Sequence, residues 1–257
     1  MSEPSEQKAN VLILTATITP PPGARQLSRT DPNIRLNDYR KAFEFYLSCL
    51  ANGTISGLIF ADNSASDIST LHELARQYDA LNKIEFISFE GLDYSPAYGR
   101  GYGEFKMLDY VMQHSRLIHD LPAQANIWKV TGRYILRNLA DVIKTAPPYS
   151  DFYCNCRNIP IYWIDLYILC WNKDFYQHSI NGIYESIKED YIAGSSEVNF
   201  RKIIDEKKGS KYKIFKRFRT IPQLEGYRGS DNQIYEEKKV KLLIRTLANK
   251  LIPWIWI

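Results

Sequence analysis

Between residues 11 and 150, short apolar runs alternate with stretches of helical periodicity. That alternation restricts the possible folds more than any other feature of the chain. Residues 11–16 (VLILTA) are almost wholly apolar, as a strand buried on both sides requires. Residues 37–50 (NDYRKAFEFYLSCL) repeat apolar positions at helical spacing, with Asn37 as the expected N-cap. A second strand over 56–61 (SGLIFA) ends at Asp62-Asn63-Ser64, and a helix opening at Ser66 or Asp67 runs to Tyr78. A third strand over 83–89 (KIEFISF) is followed by the glycine-rich loop 98–103 and a helix over 104–117. The run IWKVT (127–131) gives a fourth strand, with a helix over 135–144 after it. A fifth strand over 151–154, an extended segment over 161–170 and helical patterns over 173–189 complete the series. This order predicts an α/β fold with a mostly parallel central sheet flanked by helices.

Charge is distributed unevenly along the chain. The net charge is +4 over 257 residues, but residues 201–257 hold 15 Lys/Arg against 6 Asp/Glu, so residues 1–200 are net acidic by 5. A basic C-terminal quarter points to an anionic partner: a membrane surface, a nucleic acid or a phosphorylated substrate. Residues 236–257 (EEKKVKLLIRTLANKLIPWIWI) place Val240, Leu243, Leu247 and Leu251 on one helical face and lysines on the other, before a Trp-rich finish. A helix of that kind lies on a membrane surface or docks on its own domain. The start, MSEPSEQKAN, has neither the basic nor the apolar segment of a secretory signal, and no run is long enough to span a membrane. The expected location is cytoplasmic, peripheral on the inner face of the membrane. Cys154-x-Cys156 lacks zinc spacing, and Cys49, Cys154, Cys156 and Cys170 read as buried free thiols. The four histidines show no metal-like spacing, and no Ser-His-Asp arrangement suggests a hydrolase.

Taken together, the segments over roughly residues 10–175 resemble nucleotide-sugar glycosyltransferases of the GT-A fold, closest in layout to family 2. Four places carry the resemblance. The first strand ends at Thr15. The second ends in Asp62-Asn63-Ser64-Ala65-Ser66-Asp67, where the family has an acidic turn. A glycine-containing loop and helix follow the third strand at residues 99–117. The fourth strand ends in Thr131-Gly132-Arg133, where the family carries Asp-x-Asp. The stretch Lys129-Val130-Thr131-Gly132-Arg133-Tyr134 adds a looser resemblance to proteins of bacterial O-antigen and capsule clusters. The resemblance implies a GT-A-like (Rossmann-like) catalytic domain over 10–200, with a donor half to about residue 150 and an acceptor half over 151–200. Residues 1–9 would be a disordered start, and 201–257 a basic C-terminal extension with an amphipathic helix.

The same resemblance implies a nucleoside-diphosphate sugar as donor and a lipid-linked glycan as acceptor, with no nucleic acid partner. Thr15, Asp62, Asn63, Arg100, Gly101, Lys129, Thr131, Gly132 and Arg133 would bind the donor. Asp62 can accept hydrogen bonds from a base or ribose, although a strand-closing turn would use it equally well. Asp67 reads as a helix cap. Gly101 lets backbone approach a nucleotide and Arg100 offers a phosphate contact, with Glu104 or Lys106 reaching the same cleft; a plain loop is the alternative. Family members hold Mg²⁺ or Mn²⁺ on Asp-x-Asp; Thr131-Gly132-Arg133 has no carboxylate, so no metal ligand is assigned. An arginine fork matches a diphosphate and stays charged, so Arg133 can do part of that electrostatic work. Its bland alternative is a salt bridge or a helix-start surface residue. Lys129 alternates to another face of the strand. For a base that activates the acceptor hydroxyl, the order is Asp165, then Glu197, then Asp151. Asp165 stands alone in an aromatic run and otherwise pairs with Arg157 or Arg133; Glu197 otherwise caps a helix. Two rivals fit other features. A sugar nucleotidyltransferase would use Gly23, Arg25 and Arg29 after the first strand. A non-enzymatic nucleic-acid-binding or assembly protein would use the basic, aromatic run 211–219.

Overall fold

The computed structural model describes residues 8–24, 27–189, 194–235, 242 and 245–247. In chain order the first half comprises β1 (Asn10–Ala16), α1 (Pro32–Ala51), β2 (Gly57–Asp62), α2 (Ser69–Gln77), β3 (Ile84–Ser88), α3 (Arg100–His114), α4 (Arg116–His119) and β4 (Asn126–Thr131). The second half comprises β5 (Ile135–Leu136), α5 (Leu139–Thr145), β6 (Phe152–Tyr153), β7 (Cys156–Arg157), β8 (Trp163–Ile164) and β9 (Ile168–Trp171). After these come α6 (Lys173–Phe175), α7 (Ser196–Glu206), β10 (Ile214–Phe215) and β11 (Leu224–Glu225).

Seven strands form the central sheet in the order β10-β6-β9-β4-β1-β2-β3. Only β9 runs against its neighbours β4 and β6; every other pairing in this sheet is parallel. All seven residues of β1 are buried, which is the burial its apolar sequence demands. Leu12 and Leu14 face one core with Phe43 and Leu47 of α1 and Leu71 of α2. Val11 and Ile13 face the other, with Phe105 and Leu108 of α3, Phe175 of α6 and Phe200 of α7. The mostly parallel, helix-flanked sheet expected from the sequence is present.

Several boundaries differ from expectation for local reasons. The first helix starts at Pro32, because Asp31 accepts the Asn33 and Ile34 amides and Pro32 occupies the first turn, which has no use for its missing N–H. The glycine-rich segment is the first turn of α3 itself. Only Gly99, at φ +89°, needs glycine's conformational freedom there. The helix expected over 135–144 loses its first residues to β5, which pairs antiparallel with β11. The long extended segment is β8 and β9 separated by a turn, and the pattern after residue 173 is a chain of short helical turns, one of them π-helical. A boundary at residue 200 falls inside α7, and β10, from the basic quarter, is the edge strand of the main sheet. Within that quarter Phe218 is 1 % exposed against Tyr153, so it is core and offers no face to a base. Residues 1–7 and most of the helix expected over 236–257 lie outside the described residues. No helix among the described residues is long and apolar enough to cross a membrane. All four cysteines are free and buried.

Candidate active site

Strand order fixes where a ligand can sit. From β1 the chain moves outward through β2 to β3, then returns to place β4 on the other side of β1. The α1 connection from β1 to β2 packs on one face of the sheet and the α3 connection from β3 to β4 on the other, so a crevice opens beyond the carboxyl ends of β1 and β4. Thr15 and Thr131 are register partners at that point. A cavity of about 330 Å³ opens there, lined by Thr15, Thr131, the first turn of α3, Arg35 and Tyr39 of α1, and residues 163–167. Its outer wall is the loop carrying Arg228, Gly229 and Ser230. That loop is tied down by Gly229, whose carbonyl accepts the Ser28 and Arg29 amides at 2.8 and 3.2 Å.

The Thr131-Gly132-Arg133 turn is explained by this crowding. The Gly132 amide donates to the Thr15 carbonyl at 2.8 Å, and a Cβ on Gly132 would lie 2.8 Å from that same oxygen. Glycine is there so that the end of β4 can fold against β1; its own atoms do not line the cavity. Arg133 then turns toward the α1 side, donating to the Tyr227 carbonyl (3.2 Å) and the Tyr134 hydroxyl (3.3 Å). Arg35 is 3 % exposed and donates to the Thr17 and Arg29 carbonyls and the Tyr39 hydroxyl. Among the described residues, neither guanidinium pairs with a carboxylate. The salt-bridge reading of Arg133 therefore has no partner acid among the described residues. With Arg35 buried and Arg133 half-buried, two cations that have no carboxylate partner among the described residues make this wall of the cavity electropositive.

Lys129 goes the other way. It is fully buried on the α3 side, with Nζ 2.6 Å from Glu104 Oε1 and 2.5 Å from the Leu166 carbonyl. Burial pushes its pKa down and Glu104 opposes that shift. Lys129 lies beneath the cavity and does not line it. Glu104 does, and its Oε1 also accepts from Thr15 (2.6 Å) and Thr131 (3.3 Å).

Of the residues picked from the sequence, Thr15, Arg100, Gly101, Thr131, Arg133, Asp165 and Glu197 come together on the cavity wall. Asp62, Asn63, Lys129, Gly132 and Asp151 do not. Asp62 is fully buried; its oxygens accept from the Ile18, Ser64 and Ser66 amides and the Ser64 hydroxyl, so it closes the strand-end turn. Asn63 accepts from Thr17 at 2.7 Å and bonds Tyr94, and both of those residues line the cavity. Asp151 is taken by Asn172 and the Lys213 amide, both at 2.7 Å, away from the cavity. Asp165 has the partner proposed as its bland alternative: Oδ2 accepts from Arg157 (3.0 Å), Asn155 (2.7 Å) and Tyr167 (3.3 Å). Glu197, in the first turn of α7 behind the Ser195 cap, has no hydrogen-bond or ion-pair partner among the described residues.

Arg35, Tyr39, Tyr94, Trp163, Glu189 and the 228–230 loop are cavity residues that sequence reasoning missed. Arg35 left one signal: it sits in the phase of the Tyr39–Phe43–Tyr46 stripe, where an apolar residue belongs. The others are assembled by long-range contacts. Thr131-Gly132-Arg133 itself offers a divalent cation only a hydroxyl and a guanidinium, and the nearby Glu104 carboxylate has one oxygen already taken by Thr15, Thr131 and Lys129. Among the described residues no group of three or more His, Cys, Asp or Glu side chains could hold a metal ion.

No family model and no curated protein matches this sequence. Among solved structures, the chain is similar to a candidate nucleotide-diphospho-sugar transferase from Desulfovibrio desulfuricans G20, at TM-score 0.47 and 11% identity over 80% of this chain and 78% of that one. It is also similar to the glycosyltransferase GlyE of Streptococcus pneumoniae TIGR4, at TM-score 0.44 and 9% identity over 81% of this chain but 45% of that one. Likeness at this level does not define an activity, which has to come from the chemistry of the cavity.

Proposed function

We propose that the protein is a glycosyltransferase that moves a sugar from a nucleoside diphosphate to an acceptor hydroxyl, without a metal ion at the end of β4. The observation that carries this reading is the electropositive wall at the β1–β4 switch point, where Arg133 and Arg35 have no carboxylate partner among the described residues. A diphosphate supplies the missing negative charge, and the Arg133 fork is built to receive it. In the reaction, the acceptor oxygen forms a bond to the anomeric carbon as the bond from that carbon to the phosphate oxygen breaks. Glu197 takes the hydroxyl proton, and the nucleoside diphosphate leaves against Arg133, where its growing charge is stabilised.

The acceptor in this reading is a lipid-linked surface glycan of the O-antigen or capsule type. Support comes from the basic C-terminal quarter, which would hold the protein at an anionic inner membrane surface.

A thermal-shift series with uridine, guanosine and cytidine diphosphates, each with and without EDTA, tests the donor reading. One of them should raise Tm, and EDTA should leave that rise intact; at about 100 times Kd the gain is roughly 2.7 kcal/mol. No response to any nucleotide sinks the proposal. Arg133→Ala should weaken diphosphate binding about tenfold or more with little change in Tm of the unliganded protein. A large fall in Tm instead would return Arg133 to a structural role.

A further inference from the structure

We propose that Glu104 selects the transferred sugar by accepting hydrogen bonds from its hydroxyls, so that the site takes an uncharged sugar and rejects a sugar acid. This rests on the donor reading above and adds the substrate class. The sheet divides the cavity by charge. Thr15 and Thr131 point to the α3 side, where they meet Glu104; Arg35 and Arg133 lie on the α1 side. A diphosphate on the α1 wall therefore directs the sugar attached to it toward the α3 and α7 wall.

That second wall carries Glu104, Glu189 and Glu197. Close packing at the start of α3 brings them together: Gly101 lies against Ser196 of α7, and Gly99, just before α3, lies against Glu189 in the segment before α7. Lys129 is the one described cation paired with any of the three, and it is buried beneath them with a side chain 1 % exposed. Arg100, at the start of α3, is exposed and stands at the cavity rim.

Glu104 is oriented by its own contacts. Oε1 takes Thr15 and Lys129, each at 2.6 Å, and Thr131 at 3.3 Å, which fixes the carboxylate plane. Oε2 has no partner among the described residues, and the side chain is 18 % exposed on the cavity wall. A fixed carboxylate with one open oxygen is a strong acceptor for a hydroxyl and repels another carboxylate placed there. Specificity then has two sources on one residue: a bond gained with a neutral sugar and a repulsion against an acidic one.

Calorimetric binding of two ester pairs tests this: the glucose and glucuronate esters of uridine diphosphate, and the mannose and mannuronate esters of guanosine diphosphate. Each free diphosphate is measured alongside. For the base that binds, the neutral ester should bind about tenfold or more tighter than the acid. Glu104→Gln should bring that ratio below about threefold while leaving affinity for the free diphosphate unchanged. Equal binding of the two esters by the unmodified protein overturns the proposal, as does a preference that survives Glu104→Gln. If the variant does not fold, the ratio in the unmodified protein decides. If none of the uridine, guanosine and cytidine diphosphates binds, the donor reading itself fails and takes this inference with it.

Discussion

Asp165 and Glu197 both face the cavity, yet their neighbours give them different chemistry. Three donors converge on Asp165 Oδ2, and one of them is the Arg157 guanidinium. Its side chain is 6 % exposed, so the pair is a buried ion pair that orders the β7–β8 hairpin. Glu197 has no such partner among the described residues, and in the proposed reaction it takes the acceptor proton. Glu197→Gln should lower turnover about 100-fold or more while diphosphate affinity stays the same, measured by initial rates and calorimetry on one preparation. Asp165→Asn should act on stability, costing roughly 3 kcal/mol in urea unfolding because Arg157 is left buried without its counterion. If turnover falls with Asp165→Asn and not with Glu197→Gln, the two roles are reversed. Sequence placed both acids on the short list of candidates. It ranked Asp165 first because an isolated acid in an aromatic run is conspicuous, and the arginine that answers it lies eight residues back across a hairpin.

The element on which the site depends most is the start of α3. From the sequence its glycines read as a nucleotide-contacting loop or a plain loop; in the structure they line the cavity and also serve close packing. A Cβ on Gly101 would fall 2.3 Å from Ser196 Cβ, on the helix that carries Glu197. Helix propensity alone predicts that Gly101→Ala stabilises α3 by about 1 kcal/mol. The packing predicts the opposite sign, a loss of about 1–3 kcal/mol as α7 is pushed away. Urea unfolding separates the two outcomes, and a stabilised variant would show that α7 can move without cost. The helix start differs from the sequence expectation because the neighbours of a glycine cannot be read from the glycine.

Across the whole molecule, Asp205 ties together parts of the chain that are distant in sequence. It accepts from Arg201 of its own helix at 2.8 Å, from Lys216 after β10 at 2.5 Å, and from Tyr162 at the tip of the β7–β8 hairpin. Burial by itself would raise the Asp205 pKa, but the bonds from Lys216, Tyr162 and Arg201 outweigh it and hold the pKa below its ordinary value. A depressed carboxylate pKa contributes stability that is complete above the unfolded value, about 3.9, and is lost as pH falls through the folded value. Asp205→Asn should therefore reduce stability at neutral pH and flatten the pH dependence below about pH 4, read from Tm between pH 2 and pH 7. An unchanged acid limb would show that this junction does not hold the edge of the sheet to α7.

The apolar runs and their alternation were enough to determine the class of fold, because a strand buried on both faces and a helix with one apolar stripe have few ways to pack. VLILTA became an interior strand of the sheet, and Thr15, Thr131 and Arg133 reached the cavity because strand ends in such sheets converge there. Tertiary structure decided the rest. It sent Asp62 inward to close a turn, placed Lys129 under Glu104, and drew β10 of the basic quarter into the sheet edge. It also set two arginines, with no carboxylate partner among the described residues, on one wall of the cavity and three glutamates on the other. A residue's role depends on which partners fill its hydrogen bonds and balance its charge. Those partners come from across the chain, so the sequence shows which groups are available and only the fold shows which are left unpaired at the site.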